Sequence, residues 1–239
     1  YNQSATTLLV DLTAPAGFTT GTVTTTGGNF VSGYWNSSNE NVTVVVPVPS
    51  GDATLIGGNI TIQGQVDGGG FTTIGSTTPI SSAGNKTITV TSSQFNVLPF
   101  STPGIVGLRG VITDAAGNVT NGVTSANTLT IDTEQPTISD VSSPTSYAAT
   151  KIAGDIIVID VTFSKNVTLS GGNIIMVLNS GKTLSYTGSI TNSNTFQISY
   201  TILAGEESSD LNVNSISLSA GSLLGGHGNN TDFSSLPAS

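Results

Sequence analysis

The segment "TLTIDTEQP" (residues 128–136) is an apolar strand pattern that ends in an aspartate and is followed by a proline. The segment "TLLVDLTAP" (residues 7–15) has the same order, with Asp11 in the position of Asp132. The two aspartates lie 121 positions apart, which is the length of a typical sandwich domain. Because proline donates no amide and stiffens the exit from a strand, each segment predicts a strand followed by a short linker.

Alternation of apolar and polar residues with a period of two recurs along the rest of the chain. Threonine and valine favour the half-buried surfaces of sheets, and turns rich in glycine, asparagine and serine separate these segments. No stretch of helical length has an apolar face that repeats every three and four residues. The sequence therefore predicts an all-β protein, with strands at residues 41–49, 59–69, 86–95, 104–114, 127–132, 155–164, 173–181, 183–190, 195–203 and 213–221.

The repeated strand-and-linker segment divides the chain into two predicted domains. Residues 1–10 are expected to form a terminal strand, either the last strand of a preceding repeat or an N-terminal strand. Residues 11–131 are predicted to form one β-sandwich and residues 132–239 a second one. The connection between them is short and contains Pro136, so we expect the two domains to follow each other end to end.

The charge balance excludes several classes of partner. Acidic residues number 14 and basic residues 5, which gives a formal net charge of -9. Such a chain repels nucleic acid and anionic lipid, and it attracts cations. It has no cysteine, which excludes disulfides and thiol catalysis. No apolar run approaches the ~20 residues that span a bilayer, so we expect no nucleic-acid partner and no membrane insertion.

Catalytic motifs are missing from the sequence. The single histidine, His227, lies in a glycine-rich stretch, and no nucleophile elbow, zinc-binding H-E-x-x-H motif or phosphate-binding loop occurs. The acidic run of Glu206, Glu207 and Asp210 is interpreted as a solvated loop, as most short charge runs are. These observations predict that the protein is not an enzyme.

Several motifs resemble the bacterial immunoglobulin-like tandem repeats of large secreted adhesins and other cell-surface proteins. In the first domain they are "GYWNSSNENVTVVVPVP" (residues 33–49) and "ITDAAGNVT" (residues 112–120), followed by "IDTEQP". In the second they are "KIAGDIIVIDVTFSKNVTLSGG" (residues 151–172) and "TFQISYTILAGEESSDLNVNSISL" (residues 195–218). The resemblance implies two tandem immunoglobulin-like β-sandwiches in an extracellular stalk or adhesive segment of the bacterial cell surface, with neighbouring repeats as partners.

The resemblance also implies calcium at the junction between domains. Calcium takes about six to eight oxygen ligands from carboxylates, carbonyls and water. The expected ligands come from the D-A-A-G-N turn, the linker after the last strand, the second domain and the first linker: Asp114, Asn118, Asp132, Glu134, Asp140, Asp155 and Asp11. On this interpretation the ion fixes the angle between domains and makes the array rigid.

Two alternatives are open at the level of the sequence. The aspartate of a D-A-A-G-N turn also bonds its own backbone in an Asx turn, without any ion. In the second domain Gly225 stands where that aspartate is expected and Lys165 where an acid is common, which argues against a metal site at its far end. The alternative function is a module that binds a glycan or a host protein through its end loops, which would expose Tyr34, Trp35 or Tyr147.

Overall fold

The computed structural model describes residues 10–144, 150–208 and 210–237. The chain divides into two compact units, Tyr1–Asp132 and Thr133–Ser239. The predicted border between residues 131 and 132 lies one residue before this division. The terminal strand predicted at residues 1–10 falls outside the described residues, apart from Val10, which belongs to no strand.

Within the described residues, the first unit has nine strands in two sheets. They are β1 (Val23–Thr26), β2 (Tyr34–Trp35), β3 (Asn41–Val48), β4 (Asn59–Val66), β5 (Thr72–Pro79), β6 (Gly84–Thr91), β7 (Gly104–Thr113), β8 (Val119–Asn121) and β9 (Leu129–Ile131). One sheet has the order β1-β3-β6, and the other has the order β2-β9-β7-β4-β5, with β8 paired to β7. A 3-10 turn (Ala53–Leu55) and a one-turn helix, α1 (Ser92–Phe95), lie between strands.

The two sheets of the first unit enclose one apolar core. Along β3 the buried residues Val42, Val44 and Val46 alternate with half-buried ones, as the period of two predicts. They share one cluster with the buried residues of β4 and β7. Trp35 is 2% exposed and packs on Phe95, with ring centroids 4.7 Å apart. The unit is therefore a β-sandwich.

The last strand of the first unit closes the sandwich. β9 pairs in parallel with β2 and antiparallel with the beginning of β7, where Ile131 lies opposite Gly104. Leu129 and Ile131 are 1% and 0% exposed. β9 therefore covers a strand edge that would otherwise present unpaired backbone amides and carbonyls.

The second unit is another sandwich, with seven strands in its described residues. They are β10 (Ile138–Ser142), β11 (Ile156–Ser170), β12 (Ile174–Leu178), β13 (Thr183–Tyr186), β14 (Ser193–Thr201), β15 (Val213–Leu218) and β16 (Ser222–Gly225). One sheet has the order β10-β11-β14, with β16 on β11, and the other has the order β13-β12-β15. Phe163, Met176 and Phe196 are among the buried residues of the core between them.

The all-β prediction is confirmed, although the pattern misses or misplaces some elements. The strand predicted at residues 86–95 ends at Thr91, because Thr91 and Gln94 form a capping box that starts α1. The pattern misses β5 and β10, since Ile74 and Ile138 are their only buried residues. The strand predicted at residues 213–221 ends at Leu218, and β16 follows.

Replacing Leu129 with alanine is expected to destabilise the first unit by about 2–5 kcal/mol, because the change leaves a cavity under the closing strand. Chemical denaturation followed by the fluorescence of Trp35, the one tryptophan of the chain, measures the loss. The matched control is Val123→Ala, since Val123 is 64% exposed and its removal should cost less than about 0.5 kcal/mol. An equal loss in both variants would contradict the closing role of β9.

Candidate functional site

The D-A-A-G-N segment forms a turn between β7 and β8, which we name the closing turn (residues 114–118). The Asp114 amide donates to the Asn118 carbonyl at 3.0 Å. The Asp114 Oδ1 atom accepts from the amides of Ala116 and Asn118, both at 2.9 Å. Gly117 has a φ of 95°, in the left-handed region that glycine adopts without steric cost. Asp114 therefore makes the hydrogen bonds of an Asx turn.

Burial and hydrogen bonding act in opposite directions on the Asp114 carboxyl group. The residue is 3% exposed, and burial by itself raises the pKa of a carboxyl group. Hydrogen bonds from Asn118, Ala116 and Gly117 stabilise the charged form more strongly, so the pKa of Asp114 lies below its usual value. The carboxylate therefore carries its charge at neutral pH although it is buried.

The linker at the start of the first unit is held by the same turn. The Asn118 Nδ2 atom donates to the Asp11 carbonyl oxygen at 3.1 Å and to Asp114 Oδ2 at 2.9 Å. Further along, the Thr120 hydroxyl donates to the Pro15 carbonyl. We name this arrangement the first clamp. It joins the backbone carbonyl of Asp11 and the carboxylate of Asp114 at one end of the unit through the Asn118 side-chain amide.

One carboxylate oxygen of Asp11 has no hydrogen-bond partner within the part of the chain that the structure describes. Its Oδ1 atom accepts from the Thr13 amide at 2.9 Å, whereas its Oδ2 atom is buried and unsatisfied. A buried charged oxygen without a partner is costly unless a cation or a donor meets it. Asp11, Asp114 and the side-chain carbonyl of Asn118 supply the hard oxygen donors that calcium prefers.

The structure does not bring Asp132 to this end of the unit. Asp132 follows β9, whose last residue, Ile131, lies opposite Gly104 at the beginning of β7. Asp114 follows Thr113 at the other end of that strand of 10 residues, which at about 3.3 Å per residue separates the ends by about 30 Å. The expectation that Asp114 and Asp132 share one site is wrong, because the chain turns back after Asp114 and runs antiparallel along β7 to its opposite end.

The ligands predicted in the second unit lie apart from one another. Glu134 forms an ion pair with Lys165 at 3.3 Å. Asp140 accepts from the Ser142 hydroxyl at 2.8 Å, and Asp155 directly precedes β11. In residues 10–144, 150–208 and 210–237, no group of three or more Asp, Glu, His or Cys side chains is placed to hold a metal ion.

The second unit has a turn of the same shape as the closing turn. The Gly225 amide donates to the Asn229 carbonyl and the Gly228 amide to the Gly225 carbonyl, both at 2.9 Å. This repeats the backbone pattern of residues 114–118. The Asp232 amide donates to the Pro136 carbonyl at 2.8 Å, so a linker with a proline is again held beside the turn. We name this arrangement the second clamp.

Packing accounts for the glycine at position 225. A Cβ atom there would come within 3.0 Å of the Pro136 Cγ atom, closer than such contacts normally are. An aspartate would therefore have to displace the proline ring. The turn also lies beside Pro136, at the start of the second unit, which corrects the expectation that it marks the far end of that domain.

The acidic run of the second unit is not a freely solvated loop. Glu206 accepts from the Tyr200 hydroxyl at 2.6 Å, from the Leu203 amide at 2.7 Å and from Lys182 Nζ at 2.9 Å. The bond from Tyr200 contributes most to lowering the pKa of Glu206 to about 2. Burial, together with this carboxylate, raises the pKa of Tyr200 to about 12. The solvated interpretation is therefore wrong for Glu206.

The aromatic residues that would mark a ligand-binding module do not form an exposed platform in the described residues. Trp35 is 2% exposed, Tyr34 is half-buried, and Tyr147 lies outside the described residues. His227 is half-buried in the turn of the second clamp. No helix among the residues that the structure describes is long and apolar enough to cross a membrane.

Comparison with known proteins finds a similar solved structure but no similar sequence. The sequence matches no protein-family model and no curated protein. Among solved structures, a tetra-tandem repeat in the extending region of a large adhesion protein is similar, with 14% sequence identity and a TM-score of 0.28. The likeness covers 89% of this chain and 47% of that chain, so this chain spans about half the length of the matched protein.

Glu206→Gln is expected to lower the melting temperature of the second unit at neutral pH and to have little effect in acid. The pKa of Glu206 falls from its ordinary 4.5 to about 2 on folding. Its contribution is therefore complete above pH 4.5 and is lost as the pH falls toward 2. Calorimetric melts of both proteins should converge only as the pH falls to about 2.

The matched control for this measurement is Glu207→Gln, which removes the same charge from an exposed neighbour. Its melting curve should follow the wild type at every pH. If the melting temperatures of Glu206→Gln and the wild type differ by the same amount from neutral to acidic pH, the stabilisation does not depend on the charge of Glu206.

Proposed function

We propose that this chain is a structural segment of a bacterial surface or secreted repeat protein, in which calcium at the first clamp makes the linker rigid. The observation that carries the proposal is the clamp itself, which recurs in both units. In each unit a linker with a proline, Pro15 or Pro136, is bonded to the segment that follows the turn. This contact recurs once per domain and fixes how the chain enters each domain. Such a contact suits a protein built of repeats.

Calcium binding at the first clamp is proposed from its charges. The buried Oδ2 atom of Asp11 has no partner among the described residues, and the Asp114 carboxylate at the same end of the unit is charged. A divalent cation between them would neutralise both groups and join the linker to the closing turn. Asp11, Asp114 and Asn118 would hold the ion, and water would complete the roughly six to eight ligands.

The energetic effect of the ion follows from linkage. An ion that binds only the ordered clamp stabilises it by RT ln(1 + [L]/Kd), about 2.7 kcal/mol at a hundredfold excess over Kd. Extracellular calcium modules work at about 10⁻⁴ to 10⁻³ M, so the clamp would be ordered outside the cell and looser in chelator.

The second clamp is proposed to work without an ion. Gly225 offers no carboxylate at the turn, and the ring of Pro136 packs against it instead. Glu134 is already paired with Lys165. The linkers held by the two clamps would then differ in their response to calcium, one stiffened by the ion and one indifferent to it.

The surface chemistry supports a spacer or adhesive segment in the extracellular medium. Charged residues make up 8% of the chain. On the outer side of the β1-β3-β6 sheet, the hydroxyls of Thr24 and Thr43 bond each other at 2.7 Å. A surface with few charges and many hydroxyl groups is suited to a spacer that should not associate along its length. The proposed partners are the neighbouring repeats of the same protein.

A calcium titration tests the proposal. We expect saturating calcium to raise the melting temperature of the first unit by about 5–10 °C over the value in chelator. Asp11→Asn and Asp114→Asn keep the size of each side chain but remove its charge, so both variants should lose this increase. Differential scanning calorimetry at several calcium concentrations measures it.

Asp132→Asn is the matched control, since Asp132 lies at the other end of the unit. It should keep the calcium response of the wild type. If the wild-type chain melts at the same temperature with and without calcium, the proposal fails, and Asp114 serves only to form the turn. A full response in Asp11→Asn would place the ion elsewhere.

A further inference from the structure

Arg109 lies on β7, the middle strand of the sheet with the order β2-β9-β7-β4-β5. Its two neighbours along the strand face the core. Leu108 is fully buried, and a Cβ atom at Gly110 would come within 2.7 Å of the Val46 Cγ2 atom on the opposite sheet. Because successive side chains of a strand alternate between its two faces, Arg109 lies on the outer face. It is the only arginine of the chain and, with Lys86, one of two basic residues in the first unit.

The guanidinium group of Arg109 is held in one position. Its Nε and Nη2 atoms both donate to the Oε1 atom of Gln63, at 2.9 and 2.7 Å, and Gln63 lies directly opposite Arg109 on β4. The Cζ atom of Arg109 lies 3.7 Å from the centroid of the Phe71 ring. A guanidinium that is bonded along one edge and stacked on a ring loses little further freedom when it binds a ligand.

The opposite edge of this guanidinium is unused. A guanidinium has five N–H donors, and the bonds to Gln63 involve only Nε and Nη2. Within residues 10–144, 150–208 and 210–237, Arg109 forms no ion pair and its Nη1 atom has no hydrogen-bond partner. The one buried side-chain N or O atom without a partner in those ranges is Oδ2 of Asp11, so Nη1 reaches solvent. Arg109 therefore offers charged donors to a ligand.

Neutral hydrogen-bonding groups flank the guanidinium on the same face. Thr61 and Gln65 lie two residues before and after Gln63 on β4, so the three side chains form a row with a spacing of about 7 Å. The Gln65 amide lies over Gly107, where a Cβ atom would be 3.2 Å from Gln65 Nε2. Among the residues that the structure describes, the Thr61 hydroxyl and the Gln65 amide have no hydrogen-bond partner. The face therefore combines one fixed cation with unpaired amide and hydroxyl groups.

These groups match a sugar that carries a carboxylate. The planar edge of a guanidinium fits the two oxygens of a carboxylate, and amide and hydroxyl groups exchange hydrogen bonds with sugar hydroxyls. The net charge of -9 repels a densely charged polyanion, which favours a carboxylate on an otherwise neutral molecule. A protein partner would need a large apolar or aromatic anchor, and the ring of Phe71 is half-buried and covered by Arg109.

We propose that the outer face of this sheet binds an oligosaccharide through a carboxylate placed on the free edge of the Arg109 guanidinium. Thr61 and Gln65 bond the hydroxyls of the neighbouring sugar residues, and Gln63 positions the arginine. The site lies on the face of the sheet, whereas the first clamp lies at its end, so binding does not depend on the proposed calcium ion. Such a site would give the first unit a ligand of its own in addition to its role as a structural segment.

The test is an NMR titration of the full, isotope-labelled chain in chelator. Arg109 is the only arginine, so its Nε–H signal reports on the site without ambiguity. The probe is a trisaccharide with a single uronic acid residue, and its control is the same trisaccharide with the carboxylate reduced to an alcohol. We expect the acidic sugar to shift the Arg109 signal to saturation. The reduced sugar should bind at least about tenfold more weakly, because it cannot form the charged hydrogen bonds.

Two variants separate recognition by the guanidinium from a general effect of charge, with the backbone amide signals of β4 and β7 as the readout. Arg109→Lys keeps the charge but removes the planar fork, so affinity for the acidic sugar should fall by at least about tenfold. Lys86→Gln is the matched control, since it removes a positive charge from β6 in the other sheet. It should bind the acidic sugar like the wild type. The comparison of the two sugars needs no variant, so it remains decisive if Arg109→Lys disturbs the fold.

Four results would overturn the proposal. The Arg109 signal could stay in place at every concentration of the acidic sugar. The acidic and the reduced sugar could bind equally well, which would exclude recognition of the carboxylate. Arg109→Lys could bind no more weakly than Lys86→Gln. A short peptide with one glutamate could bind more tightly than the acidic sugar, which would assign the face to a protein partner instead.

Discussion

The Asn118 amide is the contact on which the entry of the chain into the first unit depends. Its Nδ2 atom donates to both the linker carbonyl of Asp11 and the carboxylate of Asp114. The backbone of the same residue donates to Asp114 and accepts from it, so the turn and the linker are ordered together. This explains why a buried carboxylate stays charged, because its hydrogen bonds exceed the cost of desolvation. The second unit reaches the same backbone geometry by packing Pro136 on Gly225.

The pairing of β9 determines which strand edges of the first unit are covered. In the first unit β9 lies between β2 and β7, so each edge of β9 is paired. In the described residues of the second unit, β15 has a partner, β12, on one side only. Leu211 and Val213, just before and at the start of β15, are partly buried residues of the second core.

Local pattern predicted the elements that are buried on one side and exposed on the other. β3, with its strict alternation, is the plainest case, whereas β5 and β10 escape the pattern because each has only one buried residue. For the site, the D-A-A-G-N motif correctly marked a turn at Asp114. It could not tell which linker lies beside that turn, since both linkers carry an aspartate and the choice depends on the path from β8 to β9. The bond between Tyr200 and Glu206 depends on how a loop folds over β14, which no local pattern encodes.

The relative direction of the first and last segments of each unit has a mechanical consequence. Thr19 and Val123 form a parallel bridge, as do Thr137 and Asp232, and β2 is parallel to β9. When the two ends of a domain are pulled apart, parallel terminal segments slide past each other. Their hydrogen bonds are then loaded together in shear instead of breaking one after another. A chain of such domains under tension would therefore load the bridge at the ends of each domain in shear before that domain unfolds.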